Sequence, residues 1–382
     1  MVSGKNKALK YQEVIDVLEE QILEGKYSLG QKIPTQNELT EYFGVSRPTI
    51  EKALEYLEQQ GLVQRRKGSG TFVRYDQDKK NLKLKFAFIA LRPPKDYDFE
   101  SNFVQLFVSN FSAESKKRNF ELIIDVSIIS NSEQLFSHSL KSCKDIIDSG
   151  VNGVFMLPVD FAGKDTTVNR ALADAFDSAD IPVVLLDRDV FQMPERSPYD
   201  IVGINNRRGS FVITNHLINN GAEDVYFVTC PLNSNVVSDR IDGFKSAVEY
   251  NGLDSRNRII YDYDYRGQNP GMEILKKFIE QSQQPVGFVC LNDEAASVLI
   301  RDVVKMGFDV PRQVRVAGFD DLPTSSLLFS PLTTIRQPVE AIVQTAVNVM
   351  ENRLQDPAMP AREIYVAEKL IIRESCGRDA AQ

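Results

Sequence analysis

From Leu84 to Cys376 the chain alternates apolar strand-like runs with amphipathic helical stretches, and this alternation limits its fold more than any other feature. Runs at Phe86–Leu91, Leu122–Val126, Val151–Leu157 and Ile181–Leu186 are followed by Ile201–Ile204, Val225–Thr229, Ile259–Tyr261, Val286–Leu291 and Val314–Phe319. Between most of them lie helical patterns, among them Glu133–Ser149, Arg207–Asn220, Asp239–Tyr250 and Asp293–Lys305. Strands this apolar need cover on both faces, which predicts parallel sheets wrapped by helices. The stretch is too long for one ordinary core. It predicts two doubly wound lobes with a ligand site at the strand ends between them.

The first 75 residues follow a different rule. Tyr11, Val14, Leu18 and Ile22 recur at helical spacing over Lys10 to Glu24, and Gly25 stops the pattern. Thr35-Gln36-Asn37-Glu38 reads as a capping box opening a second helix that ends at Gly44. A third helix is expected to be capped by Ser46, to carry Pro48 in its first turn and to run to Gly61, with Ile50, Ala53, Leu54 and Leu57 inward. Leu62–Gln64 and Thr71–Val73 read as strands around the tip Arg65-Arg66-Lys67-Gly68-Ser69-Gly70. Three helices and a hairpin make an α+β winged helix-turn-helix.

The expected domains are therefore a head over 1–75, a polar linker over 76–83, a two-lobed body over 84–376 and a tail over 377–382. Within the body, lobe 1 is expected at about 84–187 and 333–360, and lobe 2 at about 188–332 and 361–376. The 42% hydrophobic and 26% charged residues fit a globular protein, and the apolar runs are too short for a membrane span. No signal peptide is read at the N-terminus, and Cys143, Cys230, Cys290 and Cys376 are too dispersed for a metal or disulfide framework, so a cytoplasmic protein without cofactor or metal is expected. The net charge of −8 disfavours nucleic acid only on average, because the first 75 residues carry 11 Lys and Arg against 10 Asp and Glu.

Ser46-Arg47-Pro48-Thr49 opens the third helix with groups suited to DNA: an arginine for a guanine edge, and hydroxyls and free amides for phosphate. Taken locally, the same residues also describe a capped surface helix beside a solvated basic turn. The stretch Tyr11 to Val73 resembles the GntR-family winged helix through Gly30-Gln31-Lys32-Ile33-Pro34, Glu38-Leu39, Phe43-Gly44-Val45-Ser46-Arg47-Pro48-Thr49-Ile50, Gly61-Leu62-Val63 and Gly68-Ser69-Gly70-Thr71-Phe72-Val73. The resemblance implies DNA binding. The expected surface takes Thr35, Gln36 and Asn37 from the second helix and Ser46, Arg47 and Thr49 from the third. From the wing it takes Arg65, Lys67, Gly68, Ser69 and Gly70. Asn37 and Glu51 stand where the family usually carries arginine, which alters the expected operator. Glu51 is either an acceptor for a cytosine amino group or a solvated helix residue.

The body offers side chains suited to a polyhydroxylated ligand at or just beyond its strands: Asp187, Arg240, Asn292 and Asp320. It resembles the LacI/GalR effector domain, itself similar to periplasmic sugar-binding proteins. The landmarks are Asp200-Ile201-Val202-Gly203-Ile204-Asn205-Asn206, Arg240-Ile241-Asp242-Gly243-Phe244, Leu291-Asn292-Asp293-Glu294-Ala295-Ala296, Ala317-Gly318-Phe319-Asp320-Asp321 and Pro331-Leu332-Thr333-Thr334-Ile335-Arg336-Gln337. The resemblance implies sugar contacts from Asp187, Arg240, Asn292 and Asp320, and from Gln337. Asp187 has the alternative of pairing with Arg188, and Asp293 is expected to cap the helix after Asn292. Phe103 is either an aromatic wall or core; Tyr263 and Tyr265 are either a stacking face or surface.

Together these features predict a non-enzymatic transcriptional regulator, a repressor in kind, whose partners are operator DNA, a small sugar-like effector and a second copy of itself. The competing reading is a carbohydrate-binding α/β protein of enzymatic or transport type. It lacks support from a phosphate loop, a GxGxxG turn or a nucleophile elbow. His138 and His216 sit in helices and read as structural.

Overall fold

The computed structural model describes residues 3–66, 68–75, 83–90, 101–126, 132–159, 167–192, 194–222, 224–229, 235–261, 270–282 and 285–377. They form two compact units, Met1–Lys83 and Leu84–Gln382.

In the first unit, helices α1 (Ser3–Leu23), α2 (Gln36–Phe43) and α3 (Arg47–Gln59) precede an antiparallel hairpin of β1 (Val63–Arg66) and β2 (Gly70–Val73). Val14, Leu18, Leu39, Ile50, Leu54, Leu57 and Val73 close one small core. α1 begins ahead of the apolar stripe that opens at Tyr11. The Thr35–Glu38 capping box is present in both directions, and Gly44 ends α2 at φ 59°, a left-handed conformation that glycine adopts without strain. At α3, Ser46 holds the cap position but its side chain does not bond the helix amides. Its hydroxyl lies 2.8 Å from the Thr49 hydroxyl instead, which corrects the expected side-chain cap.

The second unit holds two six-stranded sheets. One contains β3 (Lys85–Ala90), β4 (Glu121–Asp125), β5 (Gly153–Leu157), β6 (Val183–Leu186), β7 (Asp200–Gly203) and β13 (Glu363–Tyr365), in the order β13-β7-β6-β5-β3-β4. The other contains β8 (Val225–Val228), β9 (Ile259–Ile260), β10 (Val286–Cys290), β11 (Val314–Asp320), β12 (Thr333–Arg336) and β14 (Lys369–Ile371), in the order β14-β12-β11-β10-β8-β9. Apart from the antiparallel β12–β14 pair, every pairing in the two sheets is parallel.

Each sheet's first five strands run 2-1-3-4-5, a doubly wound order whose crevice opens where the winding reverses. In the second sheet that reversal falls between β8 and β10. Arg240 lies on the helix after β8, and Asn292 ends the turn after β10. Topology alone thus delivers both side chains to the same rim.

All three expected lobe boundaries are corrected. β7 pairs with β6 and belongs to lobe 1, because its fully buried Asp-Ile-Val-Gly run completes that sheet. β12 pairs with β11 and belongs to lobe 2. The segment after it does not stay together either: the helix Val339–Gln355 packs on β6 and β7, β13 joins β7, and β14 returns to β12. The chain therefore crosses between lobes after β7, after β12 and after β13. Asp200 fastens this arrangement, since Arg353 and Arg362 both donate to its carboxylate, at 2.7 and 3.1 Å. Burial pushes its pKa up, but those hydrogen bonds outweigh burial and hold it below the ordinary value.

Candidate functional site

In the head, Arg47 is exposed at the start of α3, and its Nε donates to Gln36 Oε1 at 3.2 Å. This bond joins the starts of α2 and α3 and fixes where the guanidinium stands. Asn37 is exposed beside them. Thr35 spends its hydroxyl and amide on Glu38, at 2.8 and 2.7 Å, so it shapes the surface as a cap. Arg65 is likewise committed: its amide and Nε donate to Glu58 at 2.8 and 2.7 Å, bracing the wing against α3. Arg66, exposed at the end of β1, lies over the Phe72 ring at 4.9 Å. Gly68 and Gly70 both have positive φ, and a Cβ on Gly70 would meet Lys32 Cε at 2.3 Å. Gly70 sits opposite Arg66 at the turn end of the hairpin, and its φ of 116° is what calls for glycine there. Lys67 lies outside the described residues.

In the body, Arg240 is 5% exposed and organises the cleft rim. It donates to Asn206 Oδ1 at 3.0 Å and to the Leu291 carbonyl at 2.6 Å, and its guanidinium lies 3.7 Å from the centre of the Phe319 ring. Its Nη2 is 3.7 Å from Asp320 Oδ1. Gln337 Nε2 donates to the same carboxylate oxygen at 2.8 Å. Burial pushes Asp320 well above the usual carboxylate range, with Arg240 pulling it down and Asp293 adding to the rise. Its φ of 113° is one that residues other than glycine rarely adopt.

Asp187, at the end of β6, is also left-handed, at φ 64°. Arg188 pairs with its Oδ2 at 2.9 Å, so the expected alternative pairing is real. The pairing leaves Asp187 Oδ1 buried without a hydrogen-bond partner, and Gln337 Oε1 is in the same condition. Asp320 and Gln337 line a pocket of about 620 Å³ shared with Leu106 and Asn110 of the lobe 1 helix Ser101–Arg118. Two contacts span the lobes nearby: Asn102 Nδ2 donates to Glu294 Oε1 at 2.5 Å, and Asn235 Nδ2 to the Phe191 carbonyl at 2.7 Å.

Residues 10–73 match the model for bacterial regulatory proteins of the gntR family, and residues 214–376 match a periplasmic binding protein-like domain. The chain is a transcriptional regulator, a gntR-type head on a periplasmic-binding-protein-like body. It is 26% identical over 379 residues to the arabinose metabolism transcriptional repressor of Geobacillus stearothermophilus, covering 97% of this chain and 99% of that protein. The repressor of the same name from Halalkalibacterium halodurans is 27% identical over 382 residues, with 96% of each chain covered. Among solved structures, a cellobiose complex of the transcriptional regulator CelR superposes with a TM-score of 0.63 at 18% identity, covering 90% of this chain and all of that one. A LacI-family regulator from Enterococcus faecium with bound ribose gives 0.58 at 22%, covering 76% and 98%.

The regulator's remaining expected site residues divide. Asn292 is the N-cap of the helix Asp293–Lys305, its side chain accepting from the Ala295 amide at 2.9 Å. Asp293, expected to be that cap, instead accepts from the Leu322 amide, the Ser325 hydroxyl and the Thr334 hydroxyl, at 2.9, 2.5 and 2.5 Å. Those bonds tie the ends of β10, β11 and β12 together beneath the rim. Phe103 is core, buried and edge-on to Phe107 at 5.2 Å. Tyr263 and Tyr265 lie outside the described residues. Asn206, Phe319, Asn102, Glu294 and Asn235 were not singled out as site residues from sequence. Asn206, Phe319 and Glu294 carried a signal, as parts of landmark motifs; Asn102 and Asn235 carried none. His216 is held by Asn220 and Cys376 at 2.8 and 3.2 Å, and no described helix is long and apolar enough to cross a membrane.

Asp293 gives this region a pH signature. Burial pushes its pKa up to about 6, against the pull of its three hydrogen bonds. An unfolded aspartate titrates near 3.9, so between these values the folded chain holds the proton better than the unfolded one. The group's contribution is full below about pH 4 and is lost as pH rises through about 6. Asp293→Asn cannot titrate. In urea unfolding across this range it should therefore remove part of the wild type's decline in midpoint with rising pH; an unchanged decline would assign the titration elsewhere.

Proposed function

We propose that the chain is a cytoplasmic, homodimeric repressor that binds an operator through its winged helix and releases it when a sugar or sugar derivative fills the cleft. The observation that carries the effector half is the pair of buried acceptors, Asp187 Oδ1 and Gln337 Oε1, that lack donors. A buried polar atom left unmatched costs about 1–3 kcal/mol, and a ligand rich in hydroxyls supplies the missing donors. The rim of Arg240, Asn292 and Asp320 offers further contacts of both kinds, and the named function of the full-length relatives supports the same reading.

The Asn102–Glu294 and Asn235–Phe191 contacts support a cleft that closes lobe on lobe, as two-lobed binders do. Leu327 and Phe329 support a dimer: they are 81% and 90% exposed on lobe 2, an apolar pair suited to a second copy. Lobe 1 begins at Leu84, directly after the linker. In a dimer held through the lobes, rotation of lobe 1 therefore alters the spacing available to two heads on a near-palindromic operator.

Two expectations test the two halves. Arg47→Ala should weaken operator binding by roughly 1–3 kcal/mol and relax preference at one base, read by a binding titration against single-base operator variants. Uniform weakening across all variants would make Arg47 a phosphate contact only. Arg240→Ala, Asn292→Ala and Asp320→Ala should each cost a few kcal/mol of sugar affinity by calorimetry while ligand-free DNA binding stays near normal. Near-normal sugar affinity in all three would move the effector site elsewhere.

A further inference from the structure

α3 presents an acidic stripe where a DNA-reading helix is expected to be neutral or basic. Ile50, Ala53, Leu54 and Leu57 face the core, and Pro48, Glu51 and Glu55 are exposed on the opposite side. The neighbouring cations are turned to other partners. Arg47, one turn before Glu51 and correctly spaced to pair with it, donates instead to Gln36 on α2. Lys52 lies over the Tyr11 ring of α1 at 5.5 Å. Arg65 is held by Glu58. Among the described residues, Glu51 thus stands exposed on the first turns of the recognition helix without a compensating cation.

Beside a DNA duplex such a carboxylate is repelled by every phosphate, and this cost does not depend on sequence. Only a base-edge donor reverses it. The major groove offers two, the cytosine N4 and adenine N6 amino groups. Adenine places its N7 acceptor next to N6, where it repels a carboxylate; a cytosine presents its amino group with no N7 of its own. We infer that Glu51 is a specificity-determining residue that accepts a hydrogen bond from a cytosine amino group, one helical turn along α3 from the base read by Arg47. The inference rests on the head's role as an operator reader and adds the base that this unusual position selects. It also gives the acidic residue a use: the repulsion that penalises random DNA is offset only at the correct base pair.

Selection of the full-length protein against a randomised duplex library, followed by competition titrations, tests this. Wild type should show a C·G preference that Glu51→Ala lowers by roughly tenfold at one position. The same variant should bind random-sequence DNA more tightly. Glu55→Ala removes an equal charge one turn further along and measures the purely electrostatic effect: tighter binding to all sequences with every preference intact. Both residues are exposed, and unchanged thermal melting of each variant confirms that folding is not the cause. If Glu51→Ala behaves as Glu55→Ala does, Glu51 is a solvated residue and the inference falls. If the wild type itself selects no sequence, the operator-reading function falls first, and this assignment with it.

Discussion

Arg240 and Asp320 meet at the point on which the cleft depends. The guanidinium comes from the helix after β8 and the carboxylate from the end of β11, and Phe319 beneath the guanidinium brings the rings and charges into one stack. Arg240 also binds the Leu291 carbonyl after β10 and Asn206 at the start of the helix that follows β7. Gln337 after β12 closes the group from the other side. Five segments that the topology brings to one rim are thereby held by a single buried cation and its partners. Removing one member of a buried ion pair leaves the other desolvated, typically costing 3–5 kcal/mol. The cation's contact with the Phe319 ring adds attraction that survives burial.

This arrangement also accounts for the strained backbone. Asp187 and Asp320 both adopt positive φ, and both are buried carboxylates at strand ends, Asp320 lining the pocket. Non-glycine residues held there cost about 1–3 kcal/mol each, a cost tolerated where side-chain direction matters more than backbone comfort. Asp321, next to Asp320, is pinned by Arg336 and Arg373 at 2.6 Å each, which keeps the strained turn from relaxing. Below the rim, Asp293 ties the loop after β11 and the start of β12 to its own helix. Rigid supports under a few unsatisfied acceptors suit ligand capture followed by lobe closure.

Much of this was legible in the sequence, for identifiable reasons. Apolar runs marked the strands, so Arg240, Asn292 and Asp320 could be placed at strand ends in advance; right-handed crossovers restrict the strand order but do not decide it, and only pairing shows 2-1-3-4-5. Lobe membership was less legible. β7 and β12 are buried runs that either sheet accepts, and only pairing decides between them. Asn292 and Asp293 are both good helix caps, and adjacent; which one caps depends on where β10 releases the chain. Arg65 looked like a free wing cation because its partner Glu58 lies across the turn from α3 into β1. The cross-lobe contacts of Asn102 and Asn235 join positions far apart in sequence and left no local pattern to read.

The central claim is that filling the cleft and holding the operator oppose each other, and reciprocity makes it testable with one quantity. Sugar affinity of the full-length protein, measured by calorimetry with and without saturating operator DNA, reports the coupling directly. The account predicts that operator weakens sugar binding by about 1–3 kcal/mol, the same factor by which sugar weakens operator binding. Equal sugar affinity in the two titrations, or tighter binding on DNA, would contradict it.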